Sequence, residues 1–85
     1  MGKDTLLLFM KLRGAGDADE VTRAVEEMGL AVGIEITGVC DLVAERKGKS
    51  DELAKQVEPL LAEIGALSGV KSVTHHIRRS YHDAQ

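Results

Sequence analysis

The chain has 85 residues, with 11 Lys and Arg against 14 Asp and Glu, and a net charge of −3. That length suffices for one domain, residues 1–85, and a domain so short is marginal without a partner or a covalent staple. Cys40 is the only cysteine, which excludes an internal disulfide; the mild acidity argues against a nucleic-acid backbone as partner; and Phe9 and Tyr81, the only aromatics, are too few for a base-stacking platform.

Hydrophobic residues make up 44% of the chain, which fits a folded domain rather than a disordered one. The longest purely apolar run is Leu6 to Met10, far below the roughly 20 residues needed to span a bilayer, so no membrane association is expected. A lone cysteine and the lack of a leader-like start lead to the expectation of a cytoplasmic protein.

Thr5 to Leu12 is almost wholly apolar and is bounded by Asp4 and by Gly14-Ala15-Gly16. Its shortness and its flanking turn residues predict a strand. Leu6, Leu8, Met10 and Leu12 fill one face while Leu7 and Phe9 fill much of the other, so both faces are expected to be covered.

Asp17 is expected to cap a helix, with Glu20 as its capping-box partner. Val21, Ala24, Val25 and Met28 follow at helical spacing, and Gly29 is placed to end the helix in the left-handed conformation. From Ala31 the period becomes two: Val32, Ile34 and Ile36 alternate with Gly33, Glu35 and Thr37, a strand with one buried face. Gly38 offers a turn. Cys40, Leu42 and Ala44 then alternate with Asp41, Val43 and Glu45, which predicts a hairpin partner.

Arg46 to Lys49 reads as a polar loop, and Ser50 as the cap of a second helix with Asp51 and Glu52 at its positive end. Leu53, Val57, Leu60, Leu61, Ile64 and Leu67 form its apolar stripe. Pro59 lies inside that stripe, where it costs ~3 kcal/mol; the helix either kinks there or gives way to a second one. Lys71 to Arg79 predicts a last strand, with Val73, His75 and Ile77 on one face and Ser72, Thr74, His76 and Arg78 on the other. Residues 80–85 continue as a tail whose order the sequence leaves open.

The order βαββαβ predicts an α+β, ferredoxin-like sandwich: a four-stranded antiparallel sheet with two helices on one face. Two helices leave the other face uncovered. The apolar residues on both sides of the first strand call for a second copy there, in the manner of a dimeric α+β barrel.

Few residues carry chemistry. Gly14-Ala15-Gly16 lacks the third glycine of a dinucleotide fingerprint, and Asp17, Asp19 and Glu20 would repel a pyrophosphate. No cofactor is expected. His75, His76, His82 and Cys40 are metal-ligand types. Adjacent strand residues point oppositely, so His75 and His76 meet one ion only across a subunit interface, and no metal site is assigned. Cys40 has no flanking cation, and Asp41 beside it opposes thiolate formation. Asp41 alternates away from Leu42, on the side of Glu35, where an acid serves either as a surface charge or as an anchor for an ammonium group.

The stretch Ile36-Thr37-Gly38-Val39-Cys40-Asp41-Leu42-Val43-Ala44 resembles the effector-domain hairpin of the leucine-responsive/asparagine regulator (Lrp/AsnC) family, and Leu67-Ser68-Gly69-Val70 resembles the segment leading into that family's final strand. The resemblance implies a stand-alone form of that effector domain (the RAM domain). It would pair sheets as a homodimer, assemble into higher oligomers and bind an amino acid or similar small molecule between dimers. Gly38 and Asp41 match positions linked to effector response, and Gly69 and Val70 match structural ones. Val39 and Cys40 stand where the family has an acidic and an aromatic residue. Thr74 and His76 lie in a final strand where the family favours threonines.

The expected ligand-binding set is therefore Gly38, Val39, Cys40, Asp41, Thr74 and His76, with no catalytic residue. The first strand begins at Thr5, so no DNA-reading module is expected, and a full-length regulator of the same family becomes a candidate partner. Three alternatives stand beside this reading. One is a metal-responsive domain using Cys40 and His75 or His76 across an interface. Another is a small dimeric α+β barrel enzyme, disfavoured by the aliphatic character of the inward positions. The third is an adaptor that only assembles.

Overall fold

The computed structural model describes residues 3–35 and 38–80. Its elements are β1 (Asp4–Leu12), a 3-10 turn (Ala15–Asp17), α1 (Ala18–Glu27), β2 (Ala31–Ile34), β3 (Leu42–Gly48), α2 (Ser50–Gly65) and β4 (Val70–Arg78). The expectations for Ile36, Thr37, Tyr81, His82 and the rest of the tail fall outside the described residues.

The sheet runs β2-β3-β1-β4 with antiparallel neighbours. Each helix therefore links two parallel strands across the one between them. This split crossover is the topology of an α+β fold of ferredoxin-like type.

The pairing register sorts the two faces. Leu8 lies between Ala44 and His75, and Met10 between Leu42 and Val73. These residues share the side that receives the helices. Leu6, Leu8 and Met10 are 0% exposed, each worth ~1.5–3 kcal/mol of transfer from water. Against them lie Val21 and Val25 of α1, then Leu53, Val57, Leu60 and Ile64 of α2. The opposite face carries Leu7 between Glu45 and His76, and Phe9 between Val43 and Thr74. Leu7, Phe9 and Val43 are half-buried. One face is thus filled by helices, and the other presents a short apolar strip edged by polar residues.

Several local expectations change. Asp17 precedes α1, but it already has helical angles, φ −84° and ψ −8°, and makes no side-chain cap. A capping side chain needs an extended residue at that position. The 3-10 turn places Asp17 N–H on the Gly14 carbonyl at 3.1 Å and removes that geometry. Ser50 is the first residue of α2 rather than its cap. Its hydroxyl donates to the Asp4 carboxylate, which also accepts from Ser80 N–H at 2.8 Å. Asp4 so ties the start of β1 to the start of α2 and the end of β4.

The expected loop Arg46 to Lys49 is mostly strand, since β3 continues through Gly48 opposite Asp4. Pairing with the long central β1 outweighs the polarity of these residues, as tertiary context does with strand propensity. Cys40 and Asp41 instead precede β3. Ile34, expected on a buried face, is 82% exposed. It sits on an edge strand near Ala15 and Ala18, which are too small to cover it. Gly29 ends α1 with φ 87°, as expected. Pro59 lies within one continuous α2. Both Pro59 and Lys55, whose carbonyl loses its helical donor, face solvent, where water replaces the missing bond.

Candidate functional site

The segment Val39–Asp41 stands at one end of the sheet and separates two depressions. Its backbone is anchored: Asp41 N–H donates to the Met10 carbonyl at 2.9 Å, and the Asp41 carbonyl accepts from Glu35 N–H at 3.2 Å. The Asp41 carboxylate accepts from Leu12 N–H at 2.8 Å. Where β1 ends, a side-chain acceptor thus takes the place of a ladder carbonyl.

On the side of α1, a depression of about 440 Å³ is lined by Leu12, Arg13, Ala15, Ala18, Ile34 and Asp41. Its walls are aliphatic, and its lining carries one carboxylate and one guanidinium. Such a lining is chemically complementary to a small molecule with an apolar body and both charges. Strand alternation alone would turn Asp41 away from the helices; the presence of Ala15 and Ala18 in the same lining places it at the helix side of the sheet end. The cause is the position of Asp41 ahead of β3, outside the strand alternation.

On the open face, a second depression of about 320 Å³ is lined by Phe9, Lys11, Val39, Cys40, Ser72 and Thr74. Val39 is 68% exposed and Cys40 6% exposed. Cys40 Sγ donates weakly to the Leu42 carbonyl at 3.5 Å. Burial, reinforced by the Glu35 carboxylate, pushes the thiol above its ordinary pKa, so Cys40 remains protonated and poorly nucleophilic.

The six residues singled out in the sequence are therefore divided. Val39, Cys40 and Thr74 meet on the open face. Asp41 lines the other depression. Gly38 is exposed with φ 87° and lines neither. His76 sits on the open face beside Leu7, one row away from Thr74. His75 belongs to the helix side, next to α2. Among the described residues no three His, Cys, Asp or Glu side chains gather where they could hold a metal ion.

Sequence reasoning missed Arg13 and Ile34. Arg13 lies just past the end of a strand, beside the turn before α1, and only folding brings it into one lining with Asp41 and Ile34. Ile34 reads as core from its alternation. Among the described residues, no helix is long and apolar enough to cross a membrane. Compared with models of protein families, with curated proteins and with solved structures, the chain matches none.

Proposed function

We propose that this chain is a binding domain, not an enzyme, that takes a small aliphatic amino acid as effector and works as a homo-oligomer. The observation that carries the reading is the depression holding Asp41 and Arg13 among Leu12, Ile34, Ala15 and Ala18. The carboxylate suits an ammonium group, the guanidinium suits a carboxylate, and the aliphatic wall suits a hydrocarbon side chain. The sequence resemblance to Lrp/AsnC effector domains points to the same ligand class. It also makes regulation of transcription, through a full-length regulator as partner, the context in which such a domain would act.

Pairing with a second copy rests on a separate observation. Leu7, Phe9 and Val43 form an apolar strip on a sheet face that no helix among the described residues covers, with Glu45 on one flank and His76 on the other. A twofold partner brings acid against base while covering the strip.

A thermal-shift series with the aliphatic amino acids tests the ligand. At a hundred times its dissociation constant a ligand adds about 2.7 kcal/mol, a rise of roughly 10–20 °C for a domain of this size. Asp41→Asn keeps an acceptor for Leu12 N–H and removes the charge, so it should abolish the shift while leaving the unliganded melting temperature nearly unchanged. No shift with any amino acid would sink the ligand assignment. A monomer by light scattering, unaltered by Phe9→Glu, would sink the pairing.

A further inference from the structure

Among the described residues β4 is the last strand of the sheet order and pairs only with β1, so one side of its backbone, from Val70 to Arg78, has no neighbouring strand there. Such an edge is a template for another strand. The opposite edge, β2, is Ala31–Ile34 and much shorter.

Two further observations say what kind of strand fits. On the helix side, a groove of about 780 Å³ runs between α2 and β4, with Ala54, Val57, Leu61 and Ile77 as its apolar wall and Lys55, Glu58 and His75 as its polar members. On the open side, β4 presents Thr74, His76 and Arg78, all exposed. From Val70 to Ser80 the chain has Lys71, Arg78 and Arg79 and no acidic residue, although the whole chain is net negative.

We propose that β4 receives an extended peptide as an added strand, in which apolar residues alternate with acidic ones. Successive side chains of a strand point to opposite faces. The apolar set enters the groove beside α2, and the acidic set lies on the open side next to Arg78. Main-chain hydrogen bonds supply affinity, and the two alternating sets supply specificity. A second copy of β4 is the poorer occupant, because it would lay one basic, acid-free strand against another. The site uses the edge of β4, with the groove on one side and Arg78 on the other, and does not depend on the amino-acid depression.

The test titrates the isotope-labelled full chain with the blocked peptide Val-Glu-Val-Glu-Val-Glu-Val. Amide shifts should be confined to Val73–Arg78 and Ala54–Leu61. With free peptide at a hundred times its dissociation constant, β4 amides that exchange through strand opening should slow by about a hundredfold. A version with lysine in place of glutamate, and one with proline at its centre, should not bind. Arg78→Glu should weaken binding about fivefold. Ala54→Glu, an exposed helix position that fills the groove, should weaken it independently. The proposal is overturned by absence of shifts, by shifts elsewhere, or by equal binding of the lysine peptide. Concentration-dependent protection of β4 without peptide that persists in Phe9→Glu would also overturn it and assign the edge to a second copy.

Discussion

A Cβ added to Gly69 would stand 2.8 Å from Asp17 Cβ and 3.0 Å from Val21 Cγ2. The turn before β4 presses against the start of α1, and Arg13 N–H donates to the Gly69 carbonyl at 2.9 Å. Gly69 is thus required by close approach of two segments. Gly69→Ala should cost ~1–3 kcal/mol, as overpacking does. Urea denaturation measures it, and a loss below about 0.5 kcal/mol, the range of ordinary surface changes, would refute the steric account.

Arg46 joins both helices from β3. Its Nη1 donates to Gln56 Oε1 at 2.6 Å and its Nη2 to the Met28 carbonyl at 2.6 Å. The latter places a cation at the negative end of α1, whose last turn has no basic residue of its own. Arg46→Met should lower stability by ~1.5–3 kcal/mol, the range for hydrogen bonds from a charged group. Arg46→Lys should recover only part of it, because one ammonium cannot reproduce the planar fork. Equal stability of Arg46→Lys and the natural chain in a chemical melt would show that charge alone matters.

Acid should loosen the Asp4 tie. The Ser50 hydroxyl first, then Ser80 N–H, hold the Asp4 carboxyl below its ordinary value of 3.8. A depressed folded-state value means a contribution fully present above the unfolded-state value. It is lost as pH falls below about 4 through the folded-state value. Asp4→Asn should therefore be less stable than the natural chain at neutral pH and show a shallower decline on acidification. Parallel stability curves from neutral pH down to pH 2.5 would contradict this.

Cys40 should be chemically quiet in the native state. Its thiol is buried and its pKa raised, so iodoacetamide at pH 8 should react with it at least about tenfold more slowly than in urea. Comparable rates in both conditions would mean that the segment before β3 opens readily.

How far the sequence reached depends on the range of the interactions involved. The helical stripes of α1 and α2, the left-handed Gly29 and the alternation of β4 are local patterns, and each appears in the fold within a residue or two of its expected bounds. The expected caps did not form. Asp17 lies in a helical turn that depends on Gly14 and Gly69, and the Ser50 hydroxyl is claimed by Asp4, a residue remote in sequence. The loop assigned to Arg46–Lys49 reflects side-chain polarity, whereas the strand reflects β1 lying alongside.

By itself, then, the chain's periodicity determined the element order and the two helical faces, because burial of apolar residues at fixed spacing needs only local geometry; which side of β1 the helices cover was left to the tertiary structure. Only the tertiary structure decided how the candidate site is divided. Asp41 and Cys40 are adjacent, yet one lines a depression with Arg13 and Ile34 and the other a depression with Phe9 and Thr74. That division arises where the chain leaves the strand alternation to hydrogen-bond with Met10 and Leu12 of a neighbouring strand. Pattern along the sequence cannot encode it.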